Sequence, residues 1–381
     1  MQQQVAIVQR RLTHYRVPLF ELMREQLGAQ GVRLRLLVGQ PTPDEQAKHD
    51  EGRIAWAESL PTRYAFGDRL CWLSFGARLQ GEALVVVPQE NKLVYNLAAL
   101  SVARPRRIAF WGHGRNMQSR APEGWRERFK QSTIRAVDWW FAYTQLTVPL
   151  LQAARFDAGR ITVLDNAVDT RTLAQQWQAA AAQRDAVRAR LQLEAAAPVG
   201  VFVGSLYPDK RLPFLLQCAA RMRERLPGFQ LLIVGDGPSR DEVQRFAAQQ
   251  PWVRWLGMLR GAEKAEVLAV GDLLLNPGLV GLGILDAFAC RIPMVTTDCG
   301  IHSPEICYLE SGVNGLMTAN DEAAYVEAVL QLLTNPEQRA RLAQGLQASA
   351  RRYTIENMAG HFCDGILRCI ELAPSASRVP A

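Results

Sequence analysis

Short apolar runs alternate with amphipathic segments along most of the chain. The alternation fills the first half, restarts near residue 199 and continues to about residue 317. Strands that alternate with helices are typical of a mostly parallel, doubly wound sheet, so the pattern predicts two α/β domains in tandem. The predicted strands are residues 5–8, 32–38, 83–87, 107–111, 139–143 and 161–164 in the first half, and 199–203, 230–234, 253–255, 273–275, 294–296 and 315–317 in the second.

Composition marks the boundaries of the predicted domains. Residues 170–197 are rich in Ala, Gln and Arg and contain neither Gly nor Pro, which indicates helix leading into a linker. After the last strand the chain is predicted to be helical up to residue 372, with a break at Asn335-Pro336. We therefore predict an N-terminal domain at 1–175, a helical linker at 176–197, a C-terminal domain at 198–372 and a disordered tail at 373–381.

A strand, a glycine loop and a helix follow one another in residues 273–290. The strand is followed by Gly278, Gly281 and Gly283, and Asp286 lies in the first turn of the helix. Such a loop presents backbone amides and the positive end of a helix dipole at one point, which suits a phosphate. The alternative is a glycine-rich turn in which Asp286 serves only the helix dipole.

Two further turns follow predicted strands of the second half. Lys210 and Arg211 stand where a helix begins, and there two cations oppose the helix dipole unless an anionic ligand binds. The alternative is that both are solvated surface residues. Gly235 and Gly237 permit a tight turn and close backbone approach, although most turns of this type carry no function. Because ligands of doubly wound sheets bind at the carboxyl ends of the strands, we expect a site in a cleft between the two domains.

The composition narrows the class of protein. The 381 residues are 48% hydrophobic and 21% charged, the balance of a globular chain. A net charge of +7 fits a polyanionic small molecule or an anionic membrane surface, and no basic run indicates nucleic acid. Seven cysteines with no Cys-x-x-Cys spacing argue against a metal site or a disulfide framework and favour a cytoplasmic location. The opening MQQQVAIVQRR predicts a strand instead of a signal peptide, and no apolar run is long enough to span a bilayer.

Taken in order, five segments of the second half resemble the retaining, nucleotide-sugar-dependent glycosyltransferases of the GT-B fold, family 4, also called group 1. They are VFVGSLYPDK, LLIVGDGP, WLGML, LLLNPGLVGLGILDAFACRIPMVTTDCGIHSPEI and SGVNGLM, within residues 199–317. In the first half, VLDNAVD is similar to the Asn-Gly-Val-Asp of that family, with Ala167 in the Gly position.

The resemblance implies two Rossmann-like domains that face each other across a cleft. It implies transfer of a sugar, with retention, from a UDP- or GDP-linked donor to a glycan or lipid-linked acceptor in cell-surface polysaccharide synthesis. No cofactor is expected, and the absence of an Asp-x-Asp cluster favours a metal-independent reaction in which Lys210 and backbone amides stabilise the leaving diphosphate.

The resemblance also assigns residues in the second domain. Asp286 fills the second acidic position of the Glu-x7-Glu motif, which contacts ribose, and Gly278 occupies the first acidic position. Ser205 stands where an Arg is usual, and we hypothesise that Arg211, in a usual Gly position, compensates. The predicted donor-binding residues are Lys210, Arg211, Ser205, Gly235, Gly237, Gly281, Leu282, Gly283 and Asp286, of which Lys210 and Asp286 form the catalytic set together with His113.

Residues after two strands of the first domain complete the predicted site. His113 lies between two glycines at the end of a predicted strand, and the resemblance implies contact with the donor sugar. A loop histidine without a role is the alternative. The predicted acceptor-side residues are His14, Arg16, Arg115 and Asn116.

Two questions stay open at the level of sequence. The basic and aromatic segment 125–141 could rest on the inner face of a membrane, or could be an amphipathic helix that leads into a strand. The alternatives to a transferase are a non-catalytic protein that binds nucleotide sugars, for which Gly278 and Ser205 argue, and a sugar-nucleotide epimerase or phosphorylase. A dehydrogenase is disfavoured because no Gly-x-Gly-x-x-Gly follows the first strand.

Overall fold

The structure is a computed structural model that describes residues 3–47, 50–79, 81–90, 92–101, 104–114, 132–194 and 196–372. The chain divides into two compact units. The first comprises Met1–Val168 together with the residues from Ile355 onward, and the second comprises Asp169–Thr354.

The strands and helices follow the alternation seen in the sequence. The strands are β1 (Gln3–Gln9), β2 (Val32–Val38), β3 (Glu58–Ser59), β4 (Thr62–Ala65), β5 (Leu70–Leu73), β6 (Leu84–Pro88), β7 (Ile108–Gly112), β8 (Trp139–Ala142), β9 (Ile161–Val163), β10 (Val199–Val203), β11 (Gln230–Val234), β12 (Val253–Trp255), β13 (Leu273–Leu275), β14 (Met294–Thr297) and β15 (Gly315–Thr318). The helices of the described residues are α1 (Val17–Ala29), α2 (Pro43–Gln46), α3 (Tyr95–Leu100), α4 (Thr147–Ala153), α5 (Arg171–Ala181), α6 (Arg184–Arg190), α7 (Leu212–Arg225), α8 (Arg240–Gln249), α9 (Gly261–Val270), α10 (Gly283–Ala289), α11 (Glu322–Thr334), α12 (Pro336–Arg352) and α13 (Ile355–Glu371).

Each unit is built on a parallel sheet. The order in the first unit is β3-β2-β1-β6-β7-β8-β9, and the order in the second is β12-β11-β10-β13-β14-β15. Central strands are buried along their length, as expected when helices cover both faces. Phe110 and Trp140 are in the core of the first unit, and Phe202 and Phe229 are in that of the second. The predicted α/β class with two parallel, Rossmann-like sheets is confirmed.

The last helix differs from the predicted domain boundary. We placed residues up to 372 in the C-terminal domain, but α13 packs on α1, β8 and β9 of the first unit. Phe362 stacks on Phe141 with ring centroids 4.4 Å apart, and Gly365 lets the helix approach β9 because a Cβ there would lie 2.4 Å from Thr162 Oγ1. The amphipathic pattern shows that α13 buries one face, but it does not show which sheet that face covers.

Two other predictions also differ from the structure. The stretch 176–197, predicted as a helical linker, contains the end of α5 and all of α6, and both helices pack on α9 within the second unit. The antiparallel hairpin β4–β5 was not predicted, because β4 (TRYA) has no apolar run and β5 (LCWL) is an isolated run outside the strand–helix alternation. No helix in the described ranges is both long enough and apolar enough to cross a bilayer.

Candidate functional site

The loop at residues 276–282, between β13 and α10, is held by neighbouring segments on several sides. The backbone N–H of Asn276 donates to the Val295 carbonyl (3.0 Å), and the backbone N–H of Leu279 donates to the Asp209 carbonyl (2.8 Å). The Ser303 amide donates to the Val280 carbonyl (2.9 Å). These bonds fix the backbone of the loop against the turn before α7 and against the segment after β14.

Lys210 reaches this loop from the turn after β10. Its Nζ donates to the carbonyl of Leu279, two residues before Gly281. Burial of the ammonium lowers the pKa of Lys210 to about 8, although the charges of Asp209 and Cys299 oppose the shift. The sequence predicted that Lys210 and the glycine loop converge, and the structure brings them together. The ammonium is desolvated here, so an arriving anion would gain a strong interaction.

Gly278 owes its identity to close packing against the same turn. A Cβ at this position would lie 2.3 Å from the Asp209 carbonyl oxygen and 2.5 Å from the Lys210 carbonyl carbon. Backbone atoms cannot move away as the end of a flexible side chain can. An acidic residue at position 278 would therefore collide with the turn that carries Lys210.

Arg211 has a different surrounding from the one hypothesised. It adopts a left-handed conformation (φ 55°, ψ 46°), which turns the chain into α7. Its guanidinium donates to Asn320 Oδ1 (2.6 Å), Thr297 Oγ1 (2.9 Å) and the Pro277 carbonyl (3.2 Å), and lies 4.2 Å from the ring centroid of Phe214. These contacts indicate that Arg211 holds the loop in place from the side of Thr297 and Asn320. That Arg211 compensates for Ser205 in donor binding stays a prediction. Ser205 itself is exposed on the turn after β10.

Asp286 forms an ion pair that the sequence did not predict. Lys264 of α9 places its Nζ 2.7 Å from Asp286 Oδ2, and both side chains are largely buried. No local signal connects the two residues, because they are on different helices. A ribose that binds Asp286 would share the carboxylate with Lys264.

His302 is a second residue that sequence reasoning missed. Its Nδ1 accepts a hydrogen bond from the Val280 amide (3.1 Å), and its Nε2 lies 2.7 Å from the Thr297 carbonyl oxygen. These two contacts together require the neutral tautomer with the proton on Nε2. Cys299 Sγ lies 3.5 Å from the same Nε2. His302 therefore ties the glycine loop to the end of β14.

The thiol and the imidazole influence each other's ionisation. Burial opposes ionisation of Cys299, but hydrogen bonds from His302 and from the Ile301 backbone outweigh burial and lower the pKa of the thiol. For His302, burial again favours the neutral form, but Cys299 and the Thr297 carbonyl outweigh it and raise the pKa of the imidazole.

The glycines after β11 approach protein backbone. A Cβ at Gly235 would lie 1.9 Å from the Gly204 carbonyl oxygen, and φ there is 141°. A Cβ at Gly237 would lie 2.9 Å from the Leu206 amide nitrogen. We predicted a close approach to a ligand, but the observed approach joins the turns after β10 and β11. Contact of Gly235 and Gly237 with a donor stays a prediction.

The start of α10 is more open. A Cβ at Gly281 would lie 3.3 Å from Ser303 Oγ, and one at Gly283 would meet nothing within 4 Å. Leu282, directly before the helix, is partly exposed. The structure thus brings the predicted residues 281–283 to the surface, next to the carbonyl that accepts from Lys210.

In the first unit, His113 follows β7 as predicted. Its ring stacks on Tyr143, with centroids 4.1 Å apart and planes 17° apart. Gly114 has a φ of 73°, a value that favours glycine. Arg115 and Asn116 lie outside the described residues, as do residues 125–131 of segment 125–141.

The two residues predicted near β1 have very different environments. Arg16 is buried, and its guanidinium donates to Asn166 Oδ1 (2.6 Å) and approaches the Ala167 carbonyl and Met358 Sδ. His14 is exposed, and its Nδ1 lies 3.2 Å from the Asp50 carbonyl oxygen. Arg16 therefore serves the packing of the first unit, whereas His14 faces solvent; an acceptor-side role of either stays a prediction.

No group of three His, Cys, Asp or Glu side chains that could hold a metal occurs among the residues the structure describes. Metal independence stays a prediction from the sequence.

Comparison with solved structures identifies the fold. Along 96% of this chain and 100% of the other, the structure matches that of HepE from Anabaena in complex with UDP, with a TM-score of 0.67 and 16% identity. This likeness shows the fold, which is the GT-B fold.

The sequence comparisons show which proteins part of this chain resembles. Residues 197–335 match the family model described as glycosyl transferases group 1. The chain is 31% identical to the D-inositol 3-phosphate glycosyltransferase of Stackebrandtia nassauensis over 61% of this chain and 54% of that protein. It is 28% identical to the phosphatidyl-myo-inositol mannosyltransferase of Mycobacterium leprae, over 58% and 61%. The chain thus spans little more than half the length of these curated relatives, and the predicted resemblance to the group 1 glycosyltransferases is confirmed.

Proposed function

We propose that this protein is a retaining glycosyltransferase that uses a UDP- or GDP-linked sugar as donor and a glycan or lipid-linked acceptor in cell-surface polysaccharide synthesis. The observation that carries the proposal is the desolvated ammonium of Lys210 on the carbonyl of Leu279, beside the open backbone at residues 281–283. The names of the relatives support sugar transfer, and the UDP complex of HepE supports a nucleotide donor.

Lys210 supplies the charge that the departing diphosphate requires. Negative charge accumulates on the diphosphate as the bond to the sugar breaks, and a fixed cation in a dry environment stabilises that charge strongly. The ammonium is held by the Leu279 carbonyl and has two further N–H groups for phosphate oxygens. Below a pH of about 8 it carries its proton even without ligand.

Asp286 and the residues of the first unit take the remaining roles in this proposal. The Asp286 carboxylate accepts hydrogen bonds from the ribose hydroxyls, while Lys264 donates to the Oδ2 atom of Asp286. His113, kept in place by stacking on Tyr143, donates to a hydroxyl of the transferred sugar. The sugar is transferred by front-side departure and attack, without a strongly required protein base and without a metal or cofactor. No disulfide joins any two of the seven cysteines, all of which lie in the described ranges, in keeping with a proposed cytoplasmic location.

Titration of the protein with UDP, GDP and ADP by calorimetry tests the donor site. We expect one of these nucleotides to bind, and we expect Lys210→Met to weaken that binding roughly 10- to 100-fold, because a charge-assisted hydrogen bond contributes about 1.5–3 kcal/mol. Arg225→Met is the matched control, since Arg225 is an exposed cation of α7 paired with Glu327. Equal affinity of Lys210→Met and the control would refute the proposed site.

One observation favours a second candidate function, a non-catalytic protein that binds nucleotide sugars. Backbone packing leaves no space for an acidic side chain at position 278, so a contact usual in the family is missing. Release of free nucleotide from a donor sugar, with or without acceptor, distinguishes the two candidates. Turnover with any acceptor supports the transferase, whereas tight binding without turnover across a broad acceptor panel supports the binding protein.

A further inference from the structure

The hairpin β4–β5 of the first unit, residues 62–73, carries apolar side chains on the face that should be polar. Its register places Arg63 opposite Trp72 and Ala65 opposite Leu70. All four of these residues are exposed, and Trp72 and Leu70 expose 45% and 39% of their surface. An antiparallel pair with one packed face normally turns polar residues to water. We call this exposed side, together with Phe66, the outer face.

The tip of the hairpin extends this apolar surface. Phe66 is 78% exposed, and it has a φ of 56°. Gly67 and Asp68 follow with φ values of 61° and 62°, so three consecutive residues are left-handed. A left-handed backbone is unfavourable for an aromatic residue, and exposing Phe66 to water adds a second unfavourable term.

The opposite side of the hairpin is fixed to the unit. Cys71 and Leu73 are buried, and the Cys71 amide donates to the Lys92 carbonyl (2.7 Å). Tyr64 donates its hydroxyl to the Gln40 carbonyl (2.7 Å). On the outer face itself, the Trp72 ring also contacts the unit, because it meets the Tyr95 ring edge-on with centroids 5.1 Å apart. Packing and hydrogen bonds therefore hold the hairpin that carries the outer face in a defined position on the unit.

Charge and area indicate the kind of partner. Arg63 and Arg69 are exposed beside the apolar side chains, and Asp68 at the tip is the opposing charge of the hairpin. A stable protein interface buries about 800 Å² on each side, whereas an aromatic side chain buries about 150–250 Å². One narrow hairpin with three large apolar side chains falls short of that area. A bilayer interface needs only a few apolar and aromatic side chains at acyl depth with cations at the headgroups.

We propose that the β4–β5 hairpin docks on an anionic lipid bilayer, with Phe66, Leu70 and Trp72 in the interface and Arg63 and Arg69 on the lipid headgroups. This inference goes beyond the proposed function and does not depend on it, because docking needs neither donor nor acceptor.

Co-sedimentation of the full chain with lipid vesicles tests the docking. We expect binding to vesicles of phosphatidylcholine mixed with phosphatidylglycerol, and much weaker binding to pure phosphatidylcholine. The triple variant Phe66→Ser, Leu70→Ser, Trp72→Ser should bind at least about tenfold more weakly, since several apolar side chains leave the interface. Each of Arg63→Gln and Arg69→Gln should weaken binding about fivefold.

Matched controls distinguish docking through the outer face from nonspecific adsorption of exposed apolar side chains to vesicles and from misfolding. Met258→Ser and Val313→Ser remove apolar side chains that are 59% and 48% exposed in the second unit, and should leave vesicle binding unchanged. The conservative variant Trp72→Phe keeps a ring at this position. It should still bind vesicles while losing part of the fluorescence quenching caused by brominated lipid.

Two outcomes would overturn the proposal. The first is undiminished vesicle binding by the folded triple variant. The second is no binding of the wild type to the anionic vesicles. A dimer in analytical ultracentrifugation that the triple variant loses would then show that the outer face is a protein contact. Neither outcome affects the proposed transferase, whose nucleotide binding is measured without lipid.

Discussion

Lys210 and Arg16 are both cations that follow the first strand of a parallel sheet, but they differ in how many of their N–H donors have partners within their own unit. Arg16 donates to Asn166, approaches a carbonyl and a thioether, and lies over the Trp111 and Tyr143 rings. Lys210 donates to one carbonyl, and burial lowers its pKa. A buried cation whose donors are satisfied by the fold stabilises the fold. One that is desolvated with donors to spare stabilises an anionic ligand instead.

The largest expected effect comes from the glycine on which the Lys210 turn packs. Gly278→Ala should destabilise the protein by about 2–4 kcal/mol or displace the turn, because its Cβ meets backbone atoms at 2.3–2.7 Å. Gly283→Ala is the control, since a Cβ there meets nothing within 4 Å, and it should change stability by less than about 0.5 kcal/mol. Urea unfolding of both variants measures the difference, and equal stability would refute the close approach.

Exchanging each cation for an apolar residue tests the comparison directly. Arg16→Met should lower the free energy of unfolding by about 1–3 kcal/mol, since the buried hydrogen bond from Arg16 to the Asn166 amide oxygen is lost, and nucleotide affinity should stay unchanged. Lys210→Met should instead weaken nucleotide binding and leave the free energy of unfolding unchanged or higher. Thermal unfolding and calorimetry on both variants decide this. A loss of nucleotide binding in the stably folded Arg16 variant would remove the distinction between the two cations.

The pKa of Lys210 predicts how pH changes both binding and stability. Nucleotide affinity should fall as the pH rises above about 8, because the free protein then loses the ammonium. Stability should move the other way. Between pH 8 and the ordinary lysine pKa of 10.5 the unfolded chain binds more protons than the folded one, so stability from this group rises with pH. Lys210→Met should remove both effects, and a pH profile unchanged by that substitution would argue against Lys210.

His302 should give a smaller effect through the position of the loop. His302→Ala removes the acceptor for the Val280 amide and the donor to the Thr297 carbonyl, so we expect nucleotide affinity to fall about threefold to tenfold, or 0.5–1.5 kcal/mol. His302→Gln should restore part of the nucleotide affinity, because the glutamine side chain can both accept and donate a hydrogen bond. Alkylation of Cys299 in the variant should slow, because the thiol loses the hydrogen bond that favours its ionised form. Unaltered alkylation and affinity would show that His302 does not hold the loop.

Lys264→Met should have the smallest effect. Removing the ion pair frees Asp286, so nucleotide affinity should change less than about threefold in either direction, as for a partly buried surface pair. A loss comparable to that of Lys210→Met would mean that Lys264 itself binds the nucleotide.

Much of this protein could be predicted from short-range pattern. The parallel strands β10–β15 agree with the predicted runs to within one residue. The agreement is easiest to explain for central strands such as β10 and β13, because a strand buried on both faces is a nearly continuous apolar run. Lys210 and the glycine loop were also predicted to meet, because the carboxyl ends of neighbouring parallel strands lie at one edge of a sheet.

Other features depend on residues that are distant along the chain. The pairing of Lys264 with Asp286, the bond between His302 and Val280, and the assignment of α13 to the first unit each join segments with no shared local signal. Even the reason for Gly278 lies in a turn almost 70 residues away. Periodicity and motif order depend on neighbours along the chain and therefore define the elements and the family. Partners, protonation states and the faces that helices cover depend on neighbours in space, and these appear only when the chain is folded.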